Sequence, residues 1–159
     1  VENYEHLQLV LTEVLGFKLI DAEGSFHLFE VGEGGNGASI IVEHREDLPA
    51  AQEGYGNVHH LALRVADEEA LRFWIEKINR LEFPNSGFVE RFYFKSEYFL
   101  AATHVLFELA TDGPGFLEDE TYEHAGEKLS LPPFLEPKRA GIEEFVRPFD
   151  TSDANVQRN

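Results

Sequence analysis

The run Gly54-Tyr55-Gly56-Asn57-Val58-His59-His60-Leu61-Ala62-Leu63-Arg64-Val65 feeds a glycine-punctuated turn into a strand-like segment that two adjacent histidines open. Successive strand residues point to opposite faces. His59 therefore sides with Leu61, Leu63 and Val65, an apolar set suited to packing under a helix. His60 sides with Val58, Ala62 and Arg64, a mixed face fit to line a cavity. The alternation assigns His60 to chemistry and His59 to structure.

Downstream, Ala66 to Leu81 reads as a helix with Asp67 as its N-cap and Leu71, Trp74, Ile75 and Ile78 as the buried stripe. Pro84, Asn85 and Gly87 break the chain. Three short strands follow, near 88–94, 97–101 and 104–110. Upstream, Leu7, Val10, Leu11 and Val14 predict an amphipathic helix over 3–15, stopped at Gly16. Strands are expected at 17–21, 25–31 and 38–44. The glycines at 32–37 precede a strand rather than a helix, so a phosphate-cradling loop is a poor reading.

The two halves match: helix and three strands against strand, helix and three strands. Even the closing strands agree, Ile40-Ile41-Val42-Glu43 against Val105-Leu106-Phe107-Glu108. The simplest account is an internal duplication. It predicts an α+β fold of paired βαβββ modules in a curled, half-open mixed sheet, the first module lacking its opening strand. The modules are expected at 1–50 and 51–112, with a C-terminal extension at 113–159. In that extension Pro132 and Pro133 exclude a continuous helix. A short helix is expected over 137–146, with Ile142 and Phe145 inward, and a polar, fraying end over 151–159.

The 159 residues suit one packed domain or two small modules sharing a core. Thirty acidic against 13 basic residues leave a formal charge of −17, which repels phosphate backbones and sets nucleic acid aside. No apolar run approaches the roughly 18 residues of a membrane span. With no cysteine, any metal must be held by nitrogen and oxygen. The cytoplasm is the expected compartment. Because the chain begins at Val1 and has no methionine, it is expected to be a piece of a longer one.

On the last strand His104, Leu106 and Glu108 share one face. A carboxylate among apolar neighbours is costly to bury unless it is paired, hydrogen-bonded or bound to a cation. His60 begins one strand and Glu108 ends another, and a curled sheet would aim both into one concavity. Two readings stay open: ligation of a metal at about 2.0–2.2 Å, or a hydrogen-bonded histidine beside a structural carboxylate.

The chain resembles the vicinal oxygen chelate superfamily of glyoxalases, bleomycin-resistance proteins and extradiol dioxygenases. It is most similar to hydroquinone-type ring-cleaving dioxygenases, which are often called glyoxalase family proteins. Besides the run at 54–65, the resemblance rests on residues 11–17 (Leu-Thr-Glu-Val-Leu-Gly-Phe) and 91–99 (Arg-Phe-Tyr-Phe-Lys-Ser-Glu-Tyr-Phe). It extends through 105–116, which ends in Ala110-Thr111-Asp112-Gly113-Pro114-Gly115-Phe116, and through Gly126 to Pro137.

The resemblance implies a half-open fold around a metal held by His60 and Glu108. Fe(II) is the expected ion, with Mn, Zn or Ni as alternatives. It also implies that Tyr98 hydrogen-bonds the substrate and that Arg91 steadies an anionic ring oxygen. Phe92, Phe94 and Phe107 would form a dry wall. The implied partners are a small aromatic substrate and dioxygen, in the degradation of aromatic compounds. The family's other metal histidine sits on the first module's opening strand, so the third protein ligand is missing from this chain. His27 and His44 are the substitutes at hand, and a homodimer could restore the strand. The resemblance makes the chain the metal-site half of a ring-cleaving, extradiol-type dioxygenase. The alternatives are a glyoxalase-like lyase using Glu43 as a further carboxylate, and a non-catalytic binding module.

Overall fold

A computed structural model describes residues 1–49, 51–52 and 54–148. The expected fraying end at 151–159 lies outside them. Helix α1 (Tyr4–Leu9) starts where the side chain of Asn3 accepts from the backbone N–H of His6, and it continues as a π-turn over Val10–Val14. Gly16, at φ 78°, then turns the chain out of the helix. Strands β1 (Lys18–Glu23), β2 (Phe26–Glu30) and β3 (Ser39–Glu43) follow as an antiparallel sheet in the order β1-β2-β3.

The second module opens with β4 (Leu61–Arg64). Helix α2 (Glu68–Arg80) follows, capped by Asp67 accepting from the N–H of Ala70. Strands β5 (Val89–Glu90), β6 (Lys95–Ala102) and β7 (Val105–Ala110) complete a mixed sheet in the order β4-β7-β6-β5, with β4 parallel to β7. Beyond it lies α3 (Arg139–Phe145). The expected α+β fold is present as two open sheets. The expected strand at 88–94 shrinks to two residues. Phe145 points outward, 95% exposed, not inward as its helical spacing predicts.

One core joins the modules: Leu7, Val10 and Leu11 of the first helix cluster with Leu71, Ile78, Phe99, Phe107 and Leu109. Lys77 also crosses between them, its Nζ donating to the carbonyl of Val14 at 2.6 Å. Burying such a cluster supplies about 25 cal/mol per Å² of apolar surface and fixes the two helices against one side of both sheets. The opposite face of the second sheet is left for function.

Backbone pairing refines the internal repeat. Val65 donates to the carbonyl of Ala110, just as Val1 donates to that of Glu43. Each valine stands two residues ahead of its helix cap, so Glu43 corresponds to Ala110, and Ile41 corresponds to Glu108. The likeness between Glu43 and Glu108 in the sequence is therefore two residues out of register, on the same face. Ile41, 69% exposed, stands where the second module has its carboxylate. A cavity of about 610 Å³ separates the Val31–Ala38 loop from the free edge of β4.

Candidate metal centre

Parallel pairing sets Ala62 beside Glu108, and antiparallel pairing sets Tyr98 on the other side of it. His60 immediately precedes β4, on the Ala62 face. Its Nε2 lies 2.9 Å from Oε2 of Glu108. The Tyr98 ring stands edge-on to the imidazole, 5.4 Å between centroids. The Arg91 guanidinium carbon is 5.4 Å from the Tyr98 ring centroid. Four residues far apart in sequence thus meet on one face.

Glu108 is only 4% exposed, and its Oε1 has no hydrogen-bond partner. A buried carboxylate oxygen without a donor is a costly arrangement. Two ligands each about 2.1 Å from one ion, at right angles to it, stand about 3.0 Å apart. The separation of His60 and Glu108 and the vacant valence of Oε1 both fit a divalent cation. Among the described residues no group of three His, Cys, Asp or Glu side chains could complete its coordination. His27 and His44 stack around Tyr4 in the first module and do not approach. Glu43 is paired with Arg45 at 3.2 Å.

His59 departs from its expected structural role. It is exposed, and its Nδ1 lies 2.8 Å from Nδ1 of His60. One ring donates and the other accepts. When His60 Nδ1 donates, its Nε2 lone pair is free for a cation; when His60 Nδ1 accepts, Nε2–H donates to Glu108. His59 and His60 lie ahead of β4 rather than within it, so the strict alternation behind the packing role of His59 does not reach that residue.

Burial raises the Tyr98 hydroxyl above its ordinary value, and the Glu108 carboxylate adds to the effect, while Ser96 and Arg91 pull the other way. At neutral pH Tyr98 is therefore a hydrogen-bond donor. Ser96 is a site residue that the motif reading passed over. It is fully buried, it lies two residues before Tyr98 on the same face, and its hydroxyl is near enough to that of Tyr98 to act on it. The alternation on β6 was the signal that could have found it. Phe107, expected in the cavity wall, lies under the sheet instead, stacked on Phe99. Leu100 and Leu106 take the wall position, paired across β6 and β7 beside a pocket of about 290 Å³.

The fold and this constellation define a class of proteins in which curled βαβββ modules enclose a chelate site, and the chain belongs to that class, the vicinal oxygen chelate superfamily. Its relatives are named for ring cleavage. The chain is 46% identical over 144 residues, 87% of its length, to MhqA of Bacillus subtilis (strain 168), named a ring-cleaving dioxygenase, and covers 46% of that protein. It is 34% identical over 119 residues, 72% of its length, to the chlorohydroquinone/hydroquinone 1,2-dioxygenase of Sphingobium indicum, covering 36% of it. A crystal structure described as a dioxygenase from Bacillus subtilis matches 94% of the chain and 47% of its own, with TM-score 0.81 and 34% identity. A lactoylglutathione lyase from Agrobacterium tumefaciens shares the fold alone, covering 70% of this chain and 87% of its own, with TM-score 0.54 and 14% identity. The chain spans about half the length of the curated relatives it matches. No protein-family profile matches it.

Proposed function

We propose that this chain is the metal-site half of a ring-cleaving, extradiol-type dioxygenase acting on a dihydroxylated aromatic of the hydroquinone or catechol class. Residues 1–50 and 51–112 would be its two modules and 113–159 an extension. The observation that carries the proposal is the buried Glu108 carboxylate, with one oxygen on His60 and the other unpartnered, in a chain whose relatives are named ring-cleaving dioxygenases. His60 and Glu108 would hold Fe(II), together with a ligand outside the described residues. When bound, the ion supplies a template, a Lewis acid and a route for charge from ring to dioxygen.

The chain's own side chains have distinct tasks. Tyr98, kept protonated by burial, donates its hydroxyl proton into a hydrogen bond with a ring oxygen. Arg91, over the Tyr98 ring, offers positive charge to the same oxygen as it becomes anionic. Leu100 and Leu106 present an apolar surface that excludes water. The pairing of Glu43 with Arg45 leaves the lyase alternative without its further carboxylate. Anaerobic loading with Fe(II), followed by oxygen-uptake measurements with hydroquinone and with catechol, tests the proposal. Stoichiometric uptake with ring opening is expected. Metal binding without uptake on either ring, in a protein that also carries the missing ligand, would overturn it.

A further inference from the structure

The turn that carries Arg91 is held from outside its own sheet. Strand β5 is two residues long and pairs with β6 only through Val89–Ser96 and Glu90–Lys95. Past that ladder the N–H of Arg91 donates to the carbonyl of Phe94 at 2.9 Å, which leaves Phe92 and Tyr93 as the tip of a two-residue hairpin. Phe92 stands at φ 71°, an outlier for so bulky a side chain. Such a backbone persists only where its surroundings hold it, and so short a hairpin is marginal by itself.

The chain beyond β7 supplies the hold. The N–H of Gly115 donates to the carbonyl of Tyr93 at 2.7 Å. The Tyr93 hydroxyl donates to Oδ2 of Asp119 at 2.8 Å, and the Tyr93 ring stacks on Phe116 with 5.5 Å between centroids. Phe94 meets the same Phe116 at 5.9 Å. Phe92 lines a cavity of about 410 Å³ together with Leu129, Leu131 and Pro133. All three aromatics of the turn thus engage the C-terminal extension, while Arg91, next along, reaches the Tyr98 ring. Burial first, then the bond to Asp119, pushes the Tyr93 hydroxyl up to about 12, so it stays a donor.

We propose that the extension is a clamp on the Arg91 turn, with Tyr93 and Asp119 as positioning residues: their hydrogen bond fixes the hairpin tip and so holds the guanidinium over the Tyr98 ring. A long, flexible side chain on a loose tip would wander, and a misplacement of about 1 Å can cost on the order of 100-fold in rate. What Arg91 does at the site rests on the ring-cleavage reading. Where it stands does not, and can be read without turnover.

The test uses a protein that carries this chain together with the missing ligand. The Nε–H signal of Arg91, displaced by the Tyr98 ring current, is followed by NMR in the parent, Tyr93→Phe, Asp119→Ala and Asp119→Asn. Tyr93→Phe keeps the stack on Phe116 and removes only the hydroxyl. In it and in Asp119→Ala the Arg91 signal should move toward that of a free arginine, and Asp119→Asn, which keeps an acceptor, should restore most of the displacement. Oxygen uptake on hydroquinone after Fe(II) loading is measured in parallel. A hydrogen bond to a charged group is worth about a factor of ten, so Tyr93→Phe should lower kcat about tenfold with KM nearly unchanged. In an Arg91→Ala background the same change should cost nothing further, which a merely structural role would not produce.

An Arg91 signal indifferent to Tyr93→Phe and Asp119→Ala, a loss that persists in full without Arg91, or no recovery in Asp119→Asn would each overturn the clamp. A shifted Arg91 signal in a parent that takes up no oxygen would sink the ring-cleavage reading and leave the clamp standing. Uptake by a parent whose Arg91 signal ignores both changes would do the reverse.

Discussion

The imidazole Nε2 of His60 and the Oε2 of Glu108 lie 2.9 Å apart although 48 residues separate them in the chain, and the carboxylate is almost wholly buried. A buried carboxylate so placed gains little over apolar packing unless its remaining valences are met, and Oε1 is not met. Glu108→Gln is therefore expected to weaken metal binding by on the order of 100-fold, at or beyond the upper end for outer-shell partners. The circular dichroism spectrum should be unchanged. Metal titration checks the first point. A collapsed spectrum would mean that the carboxylate is structural.

Tyr98→Phe removes only the hydroxyl and keeps the ring against His60. A donor that acts in the transition state contributes roughly 100-fold or more. The expected result is a drop of about that size in kcat on a dihydroxylated ring, with metal affinity preserved. Unaltered kinetics would reduce Tyr98 to packing.

Glu97 supplies a pH dependence. It is fully buried, neither oxygen has a partner, and burial pushes its carboxyl up to about 7. Its folded value lies above the ordinary 4.5, so its contribution to stability is fully present below about pH 4.5. That contribution falls as pH rises toward 7 and is lost above it. At about 1.4 kcal/mol per pH unit the loss is at most on the order of 3 kcal/mol. Thermal melts from pH 5 to pH 8 should show this decline in the parent and a flatter profile in Glu97→Gln. Parallel profiles would show that the carboxyl is hydrated or paired.

Phe99 has no exposed surface and packs against Phe83 and Phe107 at 5.8 and 5.9 Å between centroids. Phe99→Ala should cost about 3–5 kcal/mol in denaturant unfolding. A loss under 1 kcal/mol would mean that the joint core of the two modules closes over the gap.

Asp67→Ala removes the side-chain oxygen that accepts from the N–H of Ala70 at 2.8 Å. About 1 kcal/mol of stability should go with it. Asp67→Ser, which restores an acceptor, should recover most of the loss, whereas equal stability of all three forms would remove the cap from the account.

The sequence by itself determined the local elements and their repetition. Helical spacing at Leu71 and Ile78, the Asp67 cap and the glycines after α1 and between β1 and β2 act over a few residues, so their signal survives in one dimension. Alternation also placed His60 with Ala62, and Glu108 with Leu106, on one strand face each. Only the tertiary structure decided which residues share a row: the β4–β7 and β6–β7 registers bring His60, Tyr98 and Glu108 together. The same pairing sets Ile41, not Glu43, at the position of Glu108 in the first module. It also sends Phe107 under the sheet and leaves His59 outside the core. These outcomes depend on hydrogen-bonded register and on which sheet face the helices cover. Both are contacts between distant segments, and residue spacing carries no record of them.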